Sequence, residues 1–395
     1  MPWLPLLTLV SAFALSQAFR TVTAMMATGL QHDFGLSTQA LGFFAATFAF
    51  SFGLSQFVIG IALDFYGLRR TWLCTFPLAI LGALTSALAP NYAVLVLGQA
   101  LIGIGCSPAF VVCTLFIARR FPVERFAAIS GVAMGLGGLG LVLTGTPLAW
   151  LIDASSWRVG FAVLAGLACV SWLLVYRQLR EGLSSAHHRP ENLGHALRGF
   201  GALFLLPQTW GILALALVNY ASFLTLRGLW LGPLLMHRHD MSLVQTGNVA
   251  LVVSLLSLFT PALFGHFDPG PARRRHWIVL AVLAMAAVFA LMAFLPLAWV
   301  DVGGMVVLAV VSGAGILQYA NVRASYSAEM SGRAMSVFTM AMFLGVAVVQ
   351  SLSGLAASGS QAFGLDPYAG VLVCVASLLA LGALAFRTLP VARPS

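Results

Sequence analysis

Charged residues are scarce in this chain. They make up 8% of its 395 residues, whereas hydrophobic residues make up 60%. A soluble domain carries about 25% charged residues, and a disordered chain is rich in charge and poor in apolar side chains. The composition therefore excludes a water-exposed globular surface as well as disorder, and it predicts an integral membrane protein.

Lysine is absent and cysteine is rare. All 20 basic residues are arginines, which outnumber the 11 acids and give a net charge of +9. A strongly basic chain can bind nucleic acid, but these arginines lie at the ends of apolar runs, so they indicate membrane topology and no nucleic-acid partner. The five cysteines lie inside apolar segments without a CxxC pair, which predicts neither a disulfide framework nor a metal site. Because no nucleophile–base pair is evident, we expect no enzyme activity and no cofactor.

Long apolar runs account for most of the sequence. A membrane-spanning helix needs about 20 apolar residues, and twelve segments approach or exceed that length. They cover 4–29, 40–63, 71–89, 92–118, 127–152, 158–175, 210–236, 245–267, 276–296, 299–321, 334–357 and 367–386. We therefore predict an all-α integral membrane protein with twelve transmembrane helices.

The longest polar stretch falls near the middle of the chain. It runs from residue 176 to residue 209 and carries arginines, histidines and two glutamates. We predict that it is a cytoplasmic linker between an N-terminal six-helix bundle, residues 1–175, and a C-terminal six-helix bundle, residues 210–395.

The arginines also predict the orientation, because cytoplasmic loops carry an excess of basic residues. With the N-terminus in the cytoplasm, sixteen arginines fall on the cytoplasmic side, and only Arg158 and Arg238 fall on the other. The remaining two, Arg20 and Arg227, lie inside apolar segments. An even number of spans places both termini in the cytoplasm, and we expect the protein in a bacterial inner membrane.

A short motif occurs twice. The stretch at 60–70 reads GIALDFYGLRR, and a degenerate copy at 265–275 reads GHFDPGPARRR. Their aspartates are 204 residues apart, close to the 207 residues that separate Arg20 from Arg227. A near-constant offset predicts an internal duplication with parallel halves, and substrate sites in such folds lie near the membrane midplane.

The first copy resembles the signature of the loop between helices 2 and 3 in the major facilitator superfamily. The twelve spans, the central linker, the second copy and the sequence from Arg119 to Pro122 after the fourth helix are similar to that family as well. Membership implies two six-helix bundles related by pseudo-two-fold symmetry. It also implies transport by alternating access, in which the halves rock about a central site.

The family uses this signature as a latch on the cytoplasmic gate, and the resemblance implies the same role here. The residues concerned are Gly60, Asp64, Gly67, Arg69 and Arg70, with Asp268 in the weaker second copy. A carboxylate at a helix end can accept hydrogen bonds from a neighbouring helix N-terminus. The arginines can pair with it or with headgroups, and the glycines permit a close approach and a tight turn. The alternative is a solvated loop whose arginines only set topology.

Two arginines lie inside predicted spans, where a charge is costly and usually functional. Arg20 and Arg227 lie 16 and 17 residues from the starts of their segments, which puts both near the midplane. None of the eleven acids lies at that depth, so we predict that an anion binds between the two guanidinium groups and removes their repulsion. The organophosphate transporters of the family have an arginine in each of helices 1 and 7, and the arrangement is similar. The alternative is that each arginine bonds helix carbonyls or reaches the membrane surface.

Uncharged polar residues are candidates for contacting the rest of the substrate. They are Gln17, Asn219, Tyr220, Gln318, Tyr319 and Gln350. Each can equally form an interhelical hydrogen bond, and Trp210 and Trp230 can anchor the protein at the membrane interface. The glycine-rich run from Gly131 to Gly145 indicates close helix packing.

These features predict a secondary active transporter of a small organic anion, a carboxylate or a phosphate ester, that works as a monomeric symporter or antiporter in the bilayer. A coupling proton or a counter-anion is a further expected partner. Two alternatives stay open. The chain could be a multidrug or metabolite efflux transporter of the same fold, or a membrane sensor or scaffold that does not transport.

Overall fold

The computed structural model describes residues 2–122, 126–179, 201 and 203–389. All regular secondary structure in those ranges is helical. This is expected inside a bilayer, where each helix satisfies its own backbone hydrogen bonds. Residues 180–200 of the predicted linker lie outside the described ranges.

Eleven helices of the described chain are long and apolar enough to cross a membrane. The predicted third segment, 71–89, is not among them. It lies in the second half of α2, which runs Thr38–Ala87 and breaks at Gly67. The prediction of an all-helical membrane protein is confirmed, and the number of twelve spans stays a prediction.

The chain packs into two compact units. Unit 1 comprises residues 1–36, 47–190 and 242–251, and unit 2 comprises 37–46, 191–241 and 252–395. Each unit contains one short segment from the other predicted bundle, 37–46 in unit 2 and 242–251 in unit 1, and a helix begins in each segment. The predicted domain bounds stay a prediction.

Unit 1 is built from the helices of the first half of the chain. Their bounds are α1 Trp3–Phe34, α2 Thr38–Ala87, α3 Tyr92–Cys106, α4 Ala109–Arg120, α5 Phe126–Leu143, α6 Thr146–Ala154 and α7 Trp157–Gln178. Side chains cap two of the starts: Asn91 accepts a hydrogen bond from the Val94 amide, and Ser156 accepts one from the Val159 amide. Such caps satisfy amides that have no partner within the helix.

Unit 2 contains two irregular turns within its helices. Its elements are α8 Pro207–Thr225, a π-helix Leu226–Trp230, α9 Leu231–Arg238, α10 Leu243–His266, α11 Pro271–Phe294, α12 Ala298–Ser312, a 3-10 helix Gly313–Gly315, α13 Ile316–Ser325, α14 Ala328–Ala362 and α15 Pro367–Thr388. Proline opens α8, α11 and α15, where its missing amide proton costs nothing. α8, the π-helix and α9 form one continuous span, and α12, the 3-10 helix and α13 form another.

Two helix starts are held by side-chain hydrogen bonds to distant parts of the sequence. In unit 2, Thr38 Oγ1 at the start of α2 lies 2.8 Å from Ser358 Oγ of α14. In unit 1, Thr146 Oγ1 at the start of α6 donates to Asn248 Oδ1 near the start of α10 over 2.7 Å. These contacts are part of the packing that puts the first turns of α2 in unit 2 and those of α10 in unit 1.

Only part of the glycine-rich run in α5 packs closely. A methyl group added to Gly140 would lie 1.7 Å from the Ala14 carbonyl oxygen of α1, and one added to Gly137 would overlap an aromatic ring of α1. The same group on Gly131 or Gly135 would meet nothing within 4 Å in the described structure. The prediction of close packing is therefore correct for Gly137 and Gly140 and wrong for the other two.

We expect Gly140→Ala to lower the free energy of unfolding by about 1–3 kcal/mol, because the added methyl group pushes α5 away from α1. Gly135→Ala is a matched control in the same helix and should not destabilise the protein, because alanine favours a helix over glycine by up to about 1 kcal/mol. Thermal unfolding of the solubilised protein measures both variants. Equal melting temperatures for the two would contradict the close contact.

Candidate functional site

Arg20 lies in the middle of α1 and is 8% exposed. Its guanidinium carbon is 4.6 Å from the centroid of the Phe52 ring in α2. This cation–π geometry attracts the cation without neutralising it. One turn earlier, the buried Gln17 Oε1 has no hydrogen-bond partner in the described part of the chain. Unit 1 thus supplies a buried cation with a polar acceptor on the preceding turn.

Arg227 lies in the π-helix that joins α8 to α9 and is 1% exposed. Its Nε donates to Ser254 Oγ of α10 over 3.0 Å. A π-helical turn inside a longer helix is rare and frequently marks a functional site. The structure therefore gives Arg227 both an unusual backbone and a fixed partner, and neither feature was predicted.

Trp230 belongs to the same π-helix and is fully buried. Its Nε1 donates to Ser353 Oγ of α14 over 2.8 Å. The interpretation of Trp230 as a membrane-interface anchor is therefore wrong. The two hydrogen bonds, from Arg227 to Ser254 and from Trp230 to Ser353, tie the π-helix to α10 and α14.

Asn219 and Gln318 are both buried in unit 2. They are 7% and 6% exposed, and Asn219 Nδ2 lies 3.5 Å from where a methyl group on Gly315 would be. Gln318 follows Gly315 by one helical turn, and its Nε2 has no hydrogen-bond partner within the described ranges. The absence of a side chain on Gly315, at the end of the 3-10 helix, thus gives the Asn219 amide room.

Gln350, Tyr220 and Tyr319 lie on α14 or pack against it. Gln350 is 2% exposed, and its Oε1 finds no partner in the described chain. Tyr220 packs edge-on against Phe343, and Tyr319 Oη donates to Met342 Sδ over 3.4 Å. Packing therefore fixes the two tyrosine rings, whereas the amide of Gln350 keeps an acceptor for a ligand or a water.

The first copy of the predicted gate motif turns at Gly67. Its φ of 76° and ψ of 175° suit glycine, which confirms the expected tight turn. A methyl group on Gly60 would meet nothing within 4 Å in the described structure, so no close approach explains that glycine. The side chain of Asp64 lies outside the described part. Arg70 is exposed.

The second copy forms a well-defined ion pair. Arg274 Nε lies 3.0 Å from Asp268 Oδ1, and Oδ1 also accepts a hydrogen bond of 3.1 Å from the Gly270 amide. Gly270 has a φ of 80° and a ψ of 168°, nearly the same backbone geometry as Gly67. The prolines in this copy therefore do not prevent the turn, and Asp268 lies against the start of α11.

An arginine beside each turn reaches the end of a distant helix. Arg69 donates to the Tyr176 carbonyl near the end of α7 over 3.5 Å, and its guanidinium carbon lies 5.5 Å from that ring. Arg275 donates to the carbonyls of Phe386 and Leu389 at the end of α15 and lies 5.1 Å from the Phe386 ring. The C-terminal end of a helix carries partial negative charge, so both arginines stabilise the packing of these helices.

We expect Asp268→Asn to lower the free energy of unfolding by about 1–3 kcal/mol at neutral pH, because charge-assisted hydrogen bonds are lost. The hydrogen bonds from Arg274 lower the pKa of Asp268 below its ordinary value. The stabilisation is therefore fully present above the ordinary carboxyl pKa and is lost as the pH falls through the lowered one.

Thermal unfolding as a function of pH tests this expectation, with the exposed Asp153→Asn as the control. The difference between the wild type and Asp268→Asn should shrink in acid, while the control should follow the wild type. A difference that is independent of pH would rule out the ion pair as its cause.

Comparison with protein families gives a match over residues 8–350 to the model of the Major Facilitator Superfamily. The chain belongs to this superfamily. The match confirms the resemblance carried by the repeated loop motif. This family consists of transporters, so the protein is an integral membrane transporter.

Relatives within the superfamily are distant. An uncharacterised MFS-type transporter of Bacillus subtilis strain 168, YceJ, is 23% identical over 340 residues, which cover 85% of this chain and 84% of the relative. The hexuronate transporter of the same organism is 24% identical over 41% of this chain and 38% of its own length. The D-galactonate transporter of Escherichia coli O6:H1 is 27% identical over 42% and 40%, respectively.

A solved transporter structure has a similar fold. The crystal structure of the D-xylose-proton symporter superimposes with a TM-score of 0.79, covering 100% of this chain and 99% of the symporter chain. The sequences are only 15% identical, so the likeness shows the shared fold alone.

Two residues that position the arginines carry no sequence signal. Phe52 is one of 28 phenylalanines, and Ser254 is an isolated serine in an apolar run. Their roles follow only from packing, since they lie 32 and 27 residues from their arginines.

Proposed function

We propose that this protein is a secondary active transporter of a small organic anion, a carboxylate or a phosphate ester, and that it works by alternating access. The observation that carries the proposal is the burial of Arg20 and Arg227, each inside a membrane-spanning helix. A buried guanidinium group can form strong, charge-assisted hydrogen bonds with an anionic substrate. The guanidinium fork suits the two oxygens of a carboxylate or phosphate.

Buried polar side chains in both units support a substrate with further hydrogen-bonding groups. Gln17, Gln318 and Gln350 each keep a buried amide atom with no partner in the described chain, and such atoms suit hydroxyl or carbonyl groups. We propose that they and Asn219, Tyr220 and Tyr319 contact the substrate outside its anionic group. Two relatives are named for hexuronate and D-galactonate, both sugar acids, which agrees with this chemistry.

The loop motifs supply the proposed gate. We assign gating to Gly60, Asp64, Gly67, Arg69 and Arg70 in the first copy, and to Asp268 in the second. The carbonyl contact of Arg69 and the ion pair of Asp268 support a role in fixing helix ends. In this proposal both loop motifs and both termini lie on the cytoplasmic side of the inner membrane, and the protein works as a monomer. A proton or a counter-anion drives the cycle.

A thermal-shift screen of the purified full-length protein tests the substrate class. The probes are D-galactonate, D-glucuronate and glycerol 3-phosphate, with neutral D-galactose and tetraphenylphosphonium as controls. A ligand at a hundred times its dissociation constant stabilises a protein by about 2.7 kcal/mol, so a binding anion gives a clear shift. Stabilisation by the cation or the neutral sugar, but by none of the anions, would overturn the proposal and favour multidrug efflux.

A further inference from the structure

A buried ionic cluster lies at the end of α9 that is farthest from Arg227. It consists of Arg238, His239, Asp301 and Asp366, and we call it the Asp301 cluster. Asp301 Oδ2 lies 3.0 Å from Arg238 NH1 and 2.6 Å from His239 Nε2. Arg238 NH2 lies 2.9 Å from Asp366 Oδ2. These contacts join the end of α9 to the first turn of α12 and to the start of α15.

Most side chains of the cluster are buried. The Asp301 side chain is fully buried, those of Arg238 and His239 are 8% and 7% exposed, and only that of Asp366 is more open. Asp301 Oδ1 and Arg238 Nε are also buried, with no hydrogen-bond partner among the described residues. Charges in such a site interact more strongly than at a surface, so the protonation state of each member matters.

Charge counting singles out His239. Arg238 contributes one positive charge, and the carboxylates of Asp301 and Asp366 contribute two negative charges. With a neutral His239 the cluster therefore carries a net charge of −1, and one proton brings it to zero. Histidine is the side chain that changes charge most readily between about pH 5 and pH 8.

The groups around the cluster are few. On its own segment His239 is flanked by Arg238 and the exposed Asp240, and His237 is bonded through Nδ1 to Tyr368 Oη of α15 over 3.0 Å. α12 contributes Asp301, and α15 contributes Tyr368 and the preceding Asp366. From α11 the described contact is the Met292 carbonyl, which accepts from Arg238 over 3.1 Å.

We propose that His239 is a proton-binding site that controls how firmly the end of α9 is held. The proton comes from the aqueous phase at this end and binds Nδ1, while Nε2 keeps its hydrogen on Asp301. Protonation turns the contact into an ion pair and strengthens the tie between α9 and α12. Loss of the proton leaves two carboxylates facing one arginine, and the tie weakens.

The contacts of Arg238 and His239 with Asp301 restrain the span that carries Arg227. α9 continues directly from the π-helix, and Arg227 is separated from Arg238 by 11 residues, about three helical turns. A firmly held α9 restrains this part of the span, and a loosened one lets it move. Proton binding to His239 would therefore regulate the proposed transport cycle. The proton itself binds without substrate.

Hydrogen–deuterium exchange of the substrate-free full-length protein in nanodiscs tests the proposal. The readout is exchange of the backbone amides of residues 231–241, corrected for the intrinsic dependence of exchange on pH. We expect exchange to become about tenfold faster between about pH 5 and pH 8 as the tie weakens. The His239→Gln variant keeps a hydrogen-bond donor without the charge, and its exchange should be fast and flat across this range.

Two control variants make the test specific. His237→Gln removes the neighbouring histidine, and His276→Gln removes an exposed one at the start of α11; both should keep the transition. A transition that persists in His239→Gln, or that disappears in His237→Gln, would overturn the proposal. So would a flat profile in the wild type, which is decisive even if His239→Gln does not fold. Failure of the anion screen would leave these outcomes unaffected, because no substrate is present.

Discussion

We expect the Arg20→Gln variant to bind its substrate anion at least about a hundredfold more weakly than the wild type. Removing one partner of a buried charge pair costs about 3–5 kcal/mol, and each 1.4 kcal/mol is about tenfold in affinity. Arg20→Lys should fall between the two, because lysine keeps the charge but loses the planar fork that stacks on Phe52. Titration calorimetry with the anion that gives the largest thermal shift measures all three.

Arg158→Gln is the matched control for this experiment. Arg158 also belongs to unit 1, where NH1 donates to the carbonyls of Ala87 and Ala89 and the guanidinium stacks on Trp157. Its loss should lower stability and leave affinity unchanged. If Arg20→Gln and Arg158→Gln bind the anion equally well, Arg20 is a structural arginine and not a ligand for substrate.

We expect a disulfide between residues 38 and 358 to reduce transport to less than about one tenth of the wild-type rate. Thr38 and Ser358 hydrogen-bond directly at 2.8 Å, and a methyl group on nearby Gly42 would lie 3.0 Å from Gly354 Cα. A contact between small residues can open and close at a low energetic cost, because no large side chain must repack. Residues 38 and 358 belong to different predicted six-helix bundles, 1–175 and 210–395. If these bundles are the halves that move, alternating access requires this contact to break once in each cycle, and a covalent bond prevents this.

The experiment uses Thr38→Cys with Ser358→Cys in a background from which the five native cysteines have been removed. Oxidation should abolish uptake into proteoliposomes, and reduction should restore it. Each single-cysteine variant is the control and should be insensitive to oxidation. A fully cross-linked protein that transports at the uncrosslinked rate would show that this contact does not open during transport.

The sequence predicts the arginines and the loop turns for clear physical reasons. Charge is so rare in this chain that an arginine in the middle of an apolar run stands out, and Arg20 and Arg227 are indeed buried in spanning helices. Gly67 and Gly270 share a left-handed backbone geometry, as the repeated motif suggests. In both cases the information is local, since it lies in a single residue or a short motif.

The features that escaped prediction depend on residues distant in the sequence. The π-helix around Arg227 carries no proline, and its hydrogen bonds go to Ser254 and Ser353 on two other helices. Asp301 looks like an ordinary acid at a helix start, yet its partners Arg238 and His239 precede it by 63 and 62 residues. Tertiary packing decides whether such an acid is solvated or buried, and composition does not encode that choice.

Counterflow into proteoliposomes preloaded with the anion found in the thermal-shift screen tests directly whether Arg20 and Arg227 bind the transported anion. We predict that the wild type and Arg158→Gln exchange labelled anion, and that Arg20→Gln and Arg227→Gln each lose at least about nine tenths of the initial rate, since each removes a buried charge partner. Thermal unfolding must first show that all four proteins are folded. Wild-type rates in both Arg20→Gln and Arg227→Gln would show that these two arginines do not bind the transported anion.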